Sequence, residues 1–132
     1  VYEGNKSTPY IETDAVNPLS VYGKTKLAGE QAIQTVGLPH LILRTSWVYG
    51  VHGKNFLKTI LRLSAERDQL KIVSDQWGAP TSSEAIANAV SQLLTRWKMP
   101  DQTHSGVYHF TNTGSTSWYG FAKAILKAYE SQ

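Results

Sequence analysis

Tyr22 and Lys26 are the pair in this chain whose residue types and spacing could do chemistry. Four positions apart in an α-helix, a phenol and an ammonium lie on one face and point into the same space. A phenol titrates near ~10 in water, and an ammonium held within a few ångströms favours the phenolate and lowers that value. The pair could then donate a proton near neutral pH, which is what a carbonyl oxygen needs when hydride arrives on its carbon. An isolated Tyr-x-x-x-Lys is more often a solvated helix face. Here the flanks argue for the chemical reading: Asn17-Pro18 supplies a turn, Ser20 an N-cap, and Leu27, Ala28 and Gly29 a small, close-packing side to the same helix.

The elements that must position the pair follow from local signals. Residues 1–19 read as loop, with turn chemistry at Gly4-Asn5-Lys6 and breaks at Pro9 and Pro18; Val1-Tyr2-Glu3-Gly4 reads as the tail of a strand entering it. The spacing predicts a helix from Ser20 to Val36, ended by Gly37 and Pro39. Leu41-Ile42-Leu43-Arg44-Thr45 is short, apolar and bounded by turn signals, as a buried parallel strand would be. A helix followed by a buried strand is the βαβ grammar of a doubly wound sheet, so the expected class is α/β.

Further along, Asn55-Phe56-Leu57 opens a second helix, with Phe56, Ile60, Leu61 and Leu63 inward and Lys58, Arg62 and Arg67 on the wetter side. Lys71-Ile72-Val73 reads as a short strand feeding a loop from Asp75 to Thr81. A third helix, capped by Thr81 or Ser82, places Ile86, Ala87, Val90, Leu93 and Leu94 on its apolar side and ends before Pro100. Asp101 to Gly106 is a polar connection, Val107 to Phe110 an alternating strand, and Thr111 to Gly114 a turn. Ser117 caps a last helix with Phe121, Ala122, Ile125 and Leu126 inward; Trp118 and Tyr119 at its start read as core.

The stretch from Asn17 to Glu30 resembles the active-site helix of the extended short-chain dehydrogenase/reductases, whose catalytic motif is Tyr-x-x-x-Lys. Four more strings narrow the resemblance to the dTDP-4-dehydrorhamnose reductase family: Thr8-Pro9-Tyr10 with Glu12 and Asp14, Leu43 to Gly50, Asp75 to Thr81, and Thr116-Ser117-Trp118-Tyr119. They run in order over nearly the whole chain. The resemblance implies part of a Rossmann-type doubly wound parallel sheet plus part of a smaller α/β substrate-binding region. Residues 1–50 would be the second half of the NAD(P)-binding domain, and residues 51–132 a mixed substrate-binding region with sheet-completing elements. It also implies a central-to-C-terminal fragment, inert alone. The Gly-rich pyrophosphate turn, the catalytic Thr or Ser and the residue that separates NADPH from NADH would precede Val1, and a C-terminal segment would follow Gln132.

By the same resemblance the activity is reduction of the C4 ketone of dTDP-4-dehydro-L-rhamnose to dTDP-L-rhamnose, with NADH or NADPH. Tyr22 would protonate the new alkoxide, and Lys26 would hold the phenol and bond the nicotinamide ribose hydroxyls. The alternatives are a related extended reductase or epimerase acting on another sugar nucleotide, and a non-catalytic relative serving as a binding subunit. Trp47 follows a strand, at the edge where open α/β sheets bind ligands, so its aromatic face suits a deoxysugar or base; packing against the neighbouring helix is the competing reading. Asn55 is a candidate nucleotide contact or an ordinary helix-start residue, and Gln76 offers an amide from a loop that the resemblance lays across the pocket. The resemblance also allows a homodimer with Mg²⁺ at its contact, for which Glu84 is the one carboxylate nominated, although one acid makes no metal site. His52 has no carboxylate near it in sequence and reads as a loop residue.

Composition agrees with a small-molecule enzyme. The 132 residues suffice for one core, and the net charge of +3 comes from Lys and Arg scattered among acids, so nucleic acid is not an expected partner. No cysteine is present, which excludes disulfides and thiolate metal sites and is compatible with the cytoplasm. No signal peptide and no apolar run long enough to span a bilayer is found.

Overall fold

Ser20, Asn55, Ser82 and Ser117 each place a side-chain oxygen on a backbone N–H two or three residues into a helix, and these caps set where the helices of this computed structural model begin. The structure describes residues 1–96 and 104–131. In chain order the elements are α1 (Val21–Thr35), β1 (Leu41–Arg44), β2 (Val48–Tyr49), α2 (Phe56–Glu66), β3 (Trp77–Gly78), β4 (Thr81–Ser82), α3 (Ser83–Arg96), β5 (Gly106–His109), β6 (Thr116–Ser117) and α4 (Trp118–Glu130). The class is α/β, as the helix and strand order predicts. The expected helix end before Pro100 and the Asp101–Thr103 part of the polar connection lie outside the described residues.

The chain divides into two compact units, the first holding residues 1–44 with β5 and the second beginning at Thr45. In the first, β1 pairs parallel with β5, Leu41 opposite Gly106 and Arg44 opposite His109. Of β1 only Ile42 is buried, because the strand has one neighbour among the described residues; the two-sided burial of a central parallel strand is not reached. α1 ends where expected, on Gly37 in the left-handed region at φ 72°. Its close-packing side is not where the sequence suggests. Ala28 and Gly29 are exposed and nothing approaches Gly29, whereas Gly23 is buried with Pro18 Cβ 2.8 Å from where its own Cβ would stand. Val1-Tyr2-Glu3 pairs with no described strand, so the expected strand tail is absent.

The second unit has the core. Ile60 from α2 meets Phe121, Ala122 and Ile125 from α4, with Tyr49, Phe56 and Trp118 packed around them. Tyr49 meets Phe121 edge-on with ring centroids 5.2 Å apart, a favoured aromatic geometry. Two short ladders stitch the loops to this core: β2 pairs parallel with β4, and β3 antiparallel with β6. The expected strand Lys71-Ile72-Val73 does not form. Its Val73 carbonyl accepts a single bond from the Tyr119 N–H at 3.0 Å, and the ladder forms at Trp77–Gly78 instead, where β6 provides a partner. α3 buries no residue fully; of its expected apolar side, Ala87, Val90 and Leu94 are exposed. No described helix is long and apolar enough to cross a membrane.

Candidate active site

Tyr22 and Lys26 stand in the first two turns of α1, on its exposed side. The Tyr22 side chain is 72% exposed, and the Lys26 ammonium lies 5.3 Å from its ring centroid. The helical spacing therefore does what the sequence implies: phenol and ammonium share one space. Both are open to an incoming ligand. Between them they present an ammonium with three hydrogen-bond donors and a phenol that can donate or accept.

Two contacts fix how α1 is turned. At its start, Pro18 packs on buried Gly23, next to Tyr22. Further along, Glu30 accepts three bonds from Arg44 on β1: Nε to Oε1 at 3.0 Å and to Oε2 at 3.2 Å, and Nη2 to Oε2 at 2.6 Å. Each partner keeps only 13% of its side chain exposed. Bonding to Glu30 holds the Arg44 guanidinium above its ordinary value, against the opposite pull of burial. Arg44 also donates from Nη1 to the Tyr2 hydroxyl at 2.6 Å; His109 Nε2 lies 2.8 Å from that hydroxyl, and the Tyr2 ring stacks on Tyr10. The His109 N–H bonded to the Glu12 carboxylate holds that acid below its usual range, and Lys6 does the same for Asp14.

This network is what the sequence reading missed. Arg44 was there to be noticed, since a cation ending an apolar strand needs a counter-charge when it is buried. Glu30 stands eight residues after Tyr22 and four after Lys26, on a stripe that drifts by about 40° per step toward the strand.

In the second unit, Trp47 has φ 46°, the one non-glycine residue in the left-handed region among those described. Its ring stacks on Trp118 with centroids 3.6 Å apart and planes 11° from parallel. A Cβ built on Gly78 would lie 2.5 Å from Trp47 Cε2 and 2.8 Å from both Cζ2 and Nε1. A point in the ring plane outside Cε2 would lie nearer to its two flanking atoms than to Cε2 itself; here both are farther, so the position is over the ring and not beside it, and Trp118 fills the other face. The indole is sandwiched, so its edge and not its face is what remains to offer a ligand. Packing against the helix start is thus realised, and any substrate role for Trp47 must use that edge.

Asn55 has its amide committed: Oδ1 accepts from Lys58 N–H at 3.1 Å, and Nδ2 donates to Gly50 carbonyl at 2.7 Å and more weakly to His52 carbonyl. It ties the Gly50–His52 loop to the start of α2. Gln76 is exposed just before β3. Glu84 is exposed in the first turn of α3, where its charge suits the free N–H groups; among the described residues no three His, Asp or Glu side chains converge as a metal site would need. An open groove along α2 is lined by Phe56, Ile60, Leu63, Ile72 and Trp118, and none of the candidate residues lines it.

All 132 residues match the profile of a family described as RmlD substrate binding domain. The dTDP-4-dehydrorhamnose reductase of Burkholderia thailandensis is 48% identical over 132 residues, covering 98% of this chain and 44% of that protein. The enzyme of the same name from Escherichia coli K12 is 46% identical over 127 residues, covering 96% and 42%. A solved dTDP-4-dehydrorhamnose reductase from Bacillus anthracis, in complex with NADP, superposes with a TM-score of 0.89 at 37% identity, covering 98% of this chain and 45% of that one. The chain spans less than half the length of these relatives. The shared fold carries the Rossmann-type α/β class expected from the sequence.

Proposed function

The chain belongs to the RmlD substrate binding domain family, and from that premise we propose that the full-length protein reduces the C4 ketone of dTDP-4-dehydro-L-rhamnose to dTDP-L-rhamnose. The observation that carries this reading is the Tyr22–Lys26 pair, presented together and exposed on a capped helix. NADPH is the cofactor proposed, matching the NADP held by the Bacillus anthracis relative, and it supplies the hydride when bound. Tyr22 delivers a proton from its phenol to the carbonyl oxygen as negative charge builds there. Lys26 steadies the phenol and donates to the ribose hydroxyls. Residues 1–50 belong to the cofactor-binding half in this reading, and residues 51–132 to the substrate side and the completion of the sheet. There Trp47 contributes its indole edge and Gln76 its exposed amide, while Asn55 acts by holding the Gly50–His52 loop. No step is assigned to Glu84.

The test is oxidation of NADPH by the full-length protein given dTDP-4-dehydro-L-rhamnose beside other 4-keto sugar nucleotides. Selective turnover of the rhamnose precursor is the expected result. Turnover of a different sugar keeps the pair and reassigns the substrate, and no turnover of any refutes the reading. Tyr22→Phe is expected to lower kcat roughly 10²- to 10⁴-fold while leaving NADPH affinity in place; near-normal activity in that variant removes the phenol from the chemistry.

A further inference from the structure

Lys26 stands one helical turn before Glu30, the spacing at which a lysine and a glutamate on a helix pair with each other. They do not pair here. Both Glu30 oxygens are taken by the Arg44 fork, and the Lys26 ammonium lies over Tyr22 instead. We propose that Arg44 is a positioning residue for the Tyr22–Lys26 pair: by saturating Glu30 it keeps that carboxylate from drawing Lys26 away from the phenol. The inference rests on the functional reading above, and it assigns a role to a buried ion pair that would otherwise be only structural.

The physical argument is one of competition. A carboxylate with only 13% of its side chain exposed is costly to leave charged without a counter-ion, so it attracts any cation within reach. Take away the guanidinium and the nearest cation on the same helix is Lys26, whose four-carbon stem spans one turn readily. Lys26 would swing from the exposed side of α1 toward β1, and Tyr22 would lose its partner. Arg is suited to the task where Lys is less so, because its fork satisfies both carboxylate oxygens while Nη1 still reaches the Tyr2 hydroxyl.

The experiment uses the full-length protein and NADPH, with affinity measured by fluorescence titration and kcat measured alongside, in the parent, Arg44→Met, Glu30→Gln, and the double variant. Arg44→Met is expected to weaken NADPH binding and lower kcat, each by roughly tenfold or more, the scale of one charge-assisted hydrogen bond. Glu30→Gln is expected to bind NADPH with little loss, since an amide does not attract Lys26. The double variant, which lacks the clamp but also lacks the competing charge, is expected to recover most of what Arg44→Met loses. A clamp that matters only for folding predicts the opposite, a double variant as impaired as the single, and that outcome overturns the proposal. Should Arg44→Met fail to fold, Arg44→Lys keeps a cation on Glu30 and is expected to retain most of the affinity; a loss of NADPH affinity of roughly tenfold or more in a folded Arg44→Lys variant also overturns it. A parent protein that binds no NADPH refutes the functional reading, whereas a parent that binds and a double variant that is not rescued refutes only the role of Arg44.

Discussion

Gly78→Ala is the substitution whose consequence can be worked most directly from the structure. The new methyl carbon would stand 2.5 Å from Trp47 Cε2, against the ~3.5–4.0 Å at which carbon atoms ordinarily touch. About 1 Å of room must therefore be found. Trp47 cannot retreat along its ring normal, because Trp118 stacks 3.6 Å away on the far face. Nor is its backbone free to adjust: it is already held at φ 46°, with the Trp47 carbonyl accepting from the Thr81 N–H at 3.2 Å in the β2–β4 ladder. The strain passes to the two-residue β3–β6 ladder or breaks the indole stack, and overpacking of this kind costs about 1–3 kcal/mol. At about 2 kcal/mol the unfolding equilibrium constant changes roughly thirtyfold. Urea denaturation of the full-length protein followed by tryptophan fluorescence reads the stability, and near-ultraviolet circular dichroism reads the stacked indole pair. A variant within about 0.5 kcal/mol of the parent, with an unaltered near-ultraviolet spectrum, would refute the sandwich.

Gly29→Ala should do the reverse, raising stability by about 0.5–1 kcal/mol in the same urea assay, because Gly29 sits in the interior of α1 with nothing within 4 Å of a new methyl group. A loss of stability there would contradict the exposed placement of that helix side. Phe121→Ala, which empties the space between Tyr49 and Phe56, is expected to cost about 3–5 kcal/mol, with calorimetry as the check. Glu12 has a folded-state value lowered by the His109 N–H, so its contribution is present in full above the usual carboxylate value and fades as the pH falls through the lowered one. Stability curves of the parent and Glu12→Gln should accordingly differ near pH 6 and converge in acid below the carboxylate range; a constant gap at every pH would show that the carboxylate charge is not what His109 holds.

The chain's sequence was sufficient wherever the deciding interaction is local. Ser20, Asn55 and Ser117 reach N–H groups three residues on, so helix starts are written in single side chains, and Tyr22 and Lys26 meet because one turn of helix brings them together. The inward side of α4 was legible for the same reason, as Phe121, Ala122 and Ile125 repeat at helical spacing. Pairing between distant segments was not. Lys71-Ile72-Val73 has the look of a strand and Trp77–Gly78 does not, yet a ladder needs a partner, and β6, nearly forty residues later, lies beside the second. The apolar residues of α3 carry the right period, but period says which side could be buried and not whether anything covers it. Arg44 meets Glu30 across 14 residues and Tyr2 across 42, and Trp47 meets Trp118 across 71, distances at which no spacing rule operates. Local spacing brings the Tyr22 phenol and the Lys26 ammonium together; only the folded chain decides that Glu30 pairs with Arg44 and which face of Trp47 is closed.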